Sequence, residues 1–184
     1  MYAPDLKNPK TLNAMKPTIN PIYNDFEKII GIELPYYISD IEFDHNSYNV
    51  SIFIDYHSKS LFNCECGQSN IQIHSKKHRI IRDLDIMNYK ANIHIDLPII
   101  NCPNCRFKTV LPSWSTPRSG LTLKFQQRLL AASSFIPLST VTKLTGESYD
   151  RINHVIKTHV EPAREKVDMS GVQNVGFDET SKKK

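Results

Sequence analysis

Asn92-Ile93-His94-Ile95-Asp96-Leu97-Pro98-Ile99-Ile100-Asn101-Cys102-Pro103-Asn104-Cys105 carries two signals in succession. Ile93, Ile95 and Leu97 alternate with Asn92, His94 and Asp96, the period of a half-buried strand. That strand runs into Cys102-x-x-Cys105. At this spacing a tight turn puts two thiolates on one side, each about 2.3 Å from a shared zinc ion. A second pair, Cys64-x-Cys66, is followed by Gly67 and is joined to the first by 35 residues. Glycine permits the left-handed backbone that such a turn often needs.

Four thiolates in two close pairs, Cys64, Cys66, Cys102 and Cys105, predict one structural Zn2+ closing a β-rich unit too small to bury much core. Full thiolate coordination leaves no open position for water, so hydrolytic metal chemistry is not expected there. Two alternatives stand beside zinc: reduced, half-buried thiols in a degraded site, and disulfides, which a reducing compartment disfavours. His74 and His78 lie between the pairs and could replace a cysteine, although each also reads as a surface imidazole.

Outward from the cysteines, Val50, Ile52, Ile54 and Tyr56 alternate with Asn49, Ser51, Phe53 and Asp55. This predicts strands near 39–44 and 48–56 about a turn at Asp44-His45-Asn46-Ser47. Ile71 and Ile73, then Ile80 and Ile81, predict one or two further strands, and Phe107 to Leu111 a short exit strand. Upstream, Asn20-Pro21 looks like an N-cap and first helical residue. Ile22, Phe26, Ile29 and Ile30 form the apolar face of a helix over 21–30 that Gly31 ends. Residues 1–38 are thus a leader and short amphipathic helix, 39–111 a zinc-ribbon-like domain, and 112–120, rich in Pro and Ser, a linker.

After residue 120 the hydrophobic period changes to about 3.6, predicting helices over 122–134, 139–145 and 149–160. Ser139 would cap the second of these, with Val141 and Leu144 inward, and Gly146 would sit in the turn. Ser148 would cap the third, with Ile152, Val155 and Ile156 inward. Leu123, Leu129, Leu130 and Phe135 would complete a three-helix core. Residues 121–168 then fit a helix-turn-helix whose exposed face offers Ser148, Tyr149, Arg151, Asn153, His154 and Lys157 to base edges and phosphates. An ordinary helical hairpin with a polar face is the alternative.

The chain of 184 residues is 40% hydrophobic and 23% charged, which fits a globular protein rather than a disordered one. No run approaches ~18 apolar residues and the N-terminus has no apolar signal core, so a cytoplasmic protein without a membrane partner is expected. The net charge of +4 is uneven. Residues 1–70 carry 5 Lys+Arg against 9 Asp+Glu, whereas 71–118 carry 8 against 3. A basic excess around the cysteines suits a polyanion, or is simply a solvated surface. Near the C-terminus, Val175-Gly176-Phe177-Asp178-Glu179-Thr180 is an apolar strand ending in two acids. Such acids can hold a divalent metal or merely form a solvated turn.

The order of these parts resembles the transposases of the ISL-three group of bacterial insertion sequences. The matching residues are Cys64-Glu65-Cys66-Gly67, the His78–Leu84 stretch, Cys102-Pro103-Asn104-Cys105, the 138–160 helices and Gly176-Phe177-Asp178-Glu179. The resemblance implies a zinc finger, a helix-turn-helix, and an RNase-H-like DDE domain beginning at 172–184. In that domain Asp178 corresponds to the first catalytic carboxylate and Mg2+ is the catalytic cation. It implies an α+β chain that binds the terminal inverted repeats of double-stranded DNA for transposition, with a homodimer among its partners. Without the remaining carboxylates, DNA binding rather than cleavage is expected of residues 1–184. The family's first half-site is Cys-x-x-Cys-Gly, whereas here Asn63 stands at its first position, so Cys64 is the ligand least supported by the resemblance. Two other readings are a stand-alone zinc-ribbon and helix-turn-helix regulator, and a zinc-ribbon interaction module with no nucleic-acid role.

Overall fold

A computed structural model describes residues 21–57, 59–168 and 170–171, and the architecture is mixed α+β. Helix α1 spans Pro21–Ile30. Five strands follow: β1 Tyr36–Asp44, β2 Asn49–Tyr56, β3 Ile73–Arg82, β4 Lys90–Cys102 and β5 Arg106–Thr109. Helices α2 Leu123–Phe135, α3 Leu138–Thr145 and α4 Tyr149–Arg164 complete the described chain. It divides into two compact units at Ala132/Ser133. Among the described residues no helix is long and apolar enough to cross a membrane.

In the first unit the strand order is β1-β2-β4-β3, with β5 also paired to β4. β1 and β2 form an antiparallel hairpin, β2 and β4 run parallel, and β3 and β5 are antiparallel to β4. The alternation read in the sequence is realised on one face. Val50, Ile52 and Ile54 lie beside Ala91, Ile93 and Ile95, and all six are buried. β4 is the spine: its first half pairs with β2 and its last four residues pair with β5, so one strand joins the core to the second cysteine pair.

Helix α1 has the expected bounds but a different buried face. Ile22 and Ile29 are exposed, while Glu27 and Ile30 are buried. The cause is a hydrogen bond: Glu27 Oε1 accepts the Ile38 backbone N–H at 2.9 Å. A buried backbone donor at a sheet edge must find a partner. A carboxylate supplies it, and this hides the helix's inward face from hydrophobic periodicity. Gly31 ends α1 with φ +85°, and Lys124 Nζ donates to the exposed C-terminal carbonyl of Ile29 at 2.7 Å.

The segment 112–120, expected as a linker, is packed. Trp114 belongs to the sheet's core and Ser115 and Ser119 are buried. Gln126 on α2, itself 1% exposed, donates to Thr116 Oγ1, Ser119 Oγ and the Leu121 carbonyl. One buried amide thus satisfies the polar groups of a turn-rich stretch, which composition alone presents as solvent-facing.

In the second unit α3 starts one residue before Ser139. The Pro137 carbonyl accepts Thr140 N–H and Val141 N–H, and no side chain caps the helix. Gly146 ends it in the left-handed conformation, as read. Ser148 caps α4, its Oγ accepting Arg151 N–H at 3.3 Å. Val141, Ile152 and Val155 are buried and Ile156 half-buried, but Leu144 and Phe135 are 70% and 87% exposed. They cannot serve as the core residues expected of them: α3 has only two turns, of which Val141 alone is buried, and Phe135 is the last residue of α2. The expected strand at 172–180, with Asp178, lies outside the described residues.

Candidate metal centre

Two short turns bring the four cysteines together. The first is closed by the Phe62–Ile71 bridge, with reciprocal backbone hydrogen bonds of 3.0 and 2.9 Å. Inside it Cys64 N–H donates to the Gln68 carbonyl at 2.7 Å and Gly67 N–H to the Cys64 carbonyl at 3.0 Å. Asn63 has a role of its own here: its Oδ1 accepts Asn70 N–H at 3.2 Å and staples the loop base. The second turn joins β4 to β5, with Cys102 opposite Arg106. In both turns the residue after the second cysteine is left-handed, Gly67 at φ +94° and Arg106 at φ +62°.

The four Sγ atoms lie within 4.8 Å of one another. Cys66 Sγ and Cys102 Sγ are 3.5 Å apart, far beyond the ~2.05 Å of a disulfide, and all four cysteines are free. A tetrahedron of Zn–S bonds near 2.3 Å has edges of about 3.8 Å, so this spacing suits four ligands of one ion. Cys64 and Cys102 are buried, Cys105 is half-buried and Cys66 exposed. The thiols bias one another: hydrogen bonding from the Gln68 backbone brings Cys66 down to about 7, while the adjoining Cys66 sulfur pushes Cys105 up to about 12. So many sulfurs at this distance cannot all ionise alone, and a divalent cation is what makes four thiolates compatible. The set fits a structural zinc site, Cys64 included. Zinc bound there would supply cross-linking of the two turns, with no position left for chemistry.

His74 and His78 are not part of the cluster. His78 Nδ1 is 3.0 Å from Asp96 Oδ1, and the His74 ring lies 4.7 Å from that of Phe107. Among the residues proposed from sequence on α4, Tyr149, His154 and Lys157 are exposed and Asn153 is half-buried. Ser148 is engaged as the N-cap. Arg151 Nη1 donates to Glu147 Oε2 at 2.9 Å, and Glu147 is 9% exposed. Sequence reasoning missed that pair, although the i,i+4 spacing of Glu147 and Arg151 is a visible signal for it.

Residues 64–105 match the family model described as the zinc-finger of transposase IS204/IS1001/IS1096/IS1165. The matched stretch begins at Cys64 and ends at Cys105, so it is bounded by the outer cysteines of the cluster. The match supports an N-terminal region of an ISL-three-family transposase, with a transposase-associated nucleic-acid role. No curated protein and no solved structure matches the chain.

Proposed function

We propose that this chain is the DNA-recognising N-terminal region of an ISL-three-type transposase, binding the terminal inverted repeats of an insertion sequence as double-stranded DNA in the cytoplasm. The observation that carries the reading is a four-sulfur cluster whose outer members bound the stretch matching a transposase zinc finger. In this reading the zinc is a staple and α3–α4 act as a helix-turn-helix. A short helix, a left-handed Gly146 and a Ser-capped second helix have the form that places a second helix in the major groove.

On α4, Asn153, His154 and Lys157 follow one another at helical spacing from the N-terminal end, where recognition helices reach base edges. Tyr149 adds an exposed ring, Ser148 contributes through the helix start it caps, and Arg151, held by Glu147, contributes its guanidinium to the DNA contacts. Asp178 is then the first carboxylate of an RNase-H-like DDE domain that uses Mg2+ for strand cleavage and transfer in the full-length family enzyme. A homodimer pairs with the two-fold arrangement of repeats.

The test is competition binding of the zinc-loaded chain to an inverted-repeat duplex and to a scrambled duplex of equal length. Preference for the repeat is expected. Equal affinity for both would overturn terminal-repeat recognition.

A further inference from the structure

We propose that strands β3 and β5 form a second duplex-DNA surface, on the sheet unit, in which Lys77 and Arg79 grip phosphates beside Phe107. It shares its ligand with the reading above but none of its residues.

The argument starts from uncompensated charge. Residues 71–118 carry 8 Lys+Arg against 3 Asp+Glu, and each of the three acids already has a partner. Asp83 accepts from Thr122, Asp85 pairs with Arg82 and Asp96 with His78. Lys77, Arg79, Arg106 and Lys108 are all exposed, and none has a carboxylate partner among the described residues. Lys77 and Arg79 project from the same side of β3, an edge strand whose registered partner is β4. On β5, Phe107 is registered to Asn101, which faces the same side of β4 as Leu97 and Ile95, the partners of Lys77 and Arg79, while Arg106 and Lys108 alternate to the other side. Phe107 is 59% exposed, its ring against His74. An apolar tip beside cations is a combination that DNA-binding surfaces use against sugar and base edges.

Two other duties of such cations can be separated from this one. Lysines on an edge strand deter sheet-to-sheet aggregation, and cations near a zinc tetrathiolate offset its net negative charge. Lys77 and Arg79 are registered to Leu97 and Ile95, five and seven residues before Cys102 on β4. At ~3.3 Å per residue that is roughly 16 Å or more along the strand, beyond the Debye length of about 8–10 Å. Replacement by glutamate keeps an edge charge while reversing its attraction for phosphate.

The experiment uses the zinc-loaded full chain and duplex DNA of unrelated sequence, with affinity followed from roughly 50 to 300 mM KCl. Each phosphate contact contributes about 0.9 to the slope of log K against log salt. The Lys77→Glu/Arg79→Glu variant should therefore lose about 2 of slope and bind at least ~10-fold more weakly, on repeat and unrelated duplexes alike. Phe107→Ala should weaken binding with the slope unchanged. Lys28→Glu, in the acidic first part of the chain, should change neither quantity. Zinc content and thermal unfolding of each variant report its folding. Parental slope and affinity in Lys77→Glu/Arg79→Glu would overturn this surface while leaving recognition by α4 standing. Repeat preference that survives in α4 variants, with slope lost in Lys77→Glu/Arg79→Glu, would do the reverse. Absence of duplex binding by the parent chain would overturn both.

Discussion

Thr122 Oγ1 donates a 2.5 Å hydrogen bond to Asp83 Oδ1 across 39 residues of sequence, and both residues are buried. The same hydroxyl accepts Phe125 N–H at 3.2 Å, so Thr122 caps α2 while holding the end of β3. The neighbouring Arg82 donates to the Ala91 carbonyl at 3.0 Å, pairs with Asp85 and lies 5.2 Å from the centre of the Phe125 ring. Arg82-Asp83 is thus a structural brace joining two strands to a helix, with no part in the metal centre.

The brace predicts coupled losses. Asp83→Ala should cost about 1.5–3 kcal/mol, the range for hydrogen bonds to a charged group, and Thr122→Val a similar amount that includes the lost cap. Because the two remove one interaction, their double variant should be clearly less destabilised than the sum. Urea unfolding of the four proteins measures this. Additive losses would show that the two side chains act independently.

Zinc should be bound at one ion per chain, and Cys64→Ser should lose it as readily as Cys102→Ser, since both sulfurs are buried in the same cluster. Structural zinc supplies about 10–16 kcal/mol of binding free energy at neutral pH in small fingers. Chelation should therefore open the 62–71 and 102–106 turns, read as lost amide-exchange protection there. Metal content that survives Cys64→Ser would remove Cys64 from the ligand set.

The two knuckles make opposite predictions at matching positions. Gly67 and Arg106 are both left-handed, and a Cβ added at Gly67 meets no atom within 4 Å. Only the backbone angle resists a side chain there, so Gly67→Ala should cost about 1 kcal/mol. Arg106 already carries that penalty, and Arg106→Gly should recover up to ~1 kcal/mol. Thermal melts of the zinc-loaded proteins decide it. A destabilising Arg106→Gly would mean that the arginine side chain contributes more than its backbone strain costs.

Much of this was legible because periodicity and cysteine spacing report directly on the backbone. The Val50–Tyr56 and Ile93–Leu97 alternation placed β2 and β4, and Gly31, Gly146 and Ser148 marked helix ends that the structure keeps. What stayed hidden depends on partners distant in sequence. Glu27 is inward because Ile38 needs an acceptor. The 112–120 segment is ordered because Gln126 reaches back to it. Asn63, read only as a missing cysteine, accepts the Asn70 N–H and braces the base of the loop that carries Cys64. The inward assignment of Leu144 and Phe135 failed because an apolar residue at the right period is buried only if another surface meets it.

His94 gives a pH prediction on the outer side of the sheet. Its ring stacks on Phe53 at 4.9 Å and faces His78 at 5.9 Å. Burial and the second imidazole hold its pKa below the ordinary histidine value, against a weaker opposing pull from Glu42. The unfolded chain therefore takes up this proton more readily than the folded one. Its contribution is full above the ordinary value of ~6.5 and is lost as pH falls through that value towards the folded one. His94→Gln should flatten the acid limb of the stability profile below about pH 6.5. An NMR titration placing His94 at or above 6.5 would contradict the assignment.

Helix α4 yields the sharpest separation of roles. Asn153, His154 and Lys157 lie at helical spacing on the part of α4 outside its buried Ile152–Val155 side, and Lys157 is the cation suited to a phosphate. Asn153→Ala should lower affinity for the inverted repeat by about 1–3 kcal/mol at the position it reads, with little change on unrelated duplex. Lys157→Ala should weaken both duplexes alike and reduce the salt slope by about 1. Arg151→Ala is different in kind, because it removes a charged partner from the buried Glu147 carboxylate. It should lower stability as well as binding, whereas Glu147→Gln/Arg151→Ala should regain stability without regaining the repeat preference. Recovery of full repeat affinity in that double variant would show Arg151 to be purely a helix brace. Failure of both stability and binding to recover would place the guanidinium in contacts beyond Glu147.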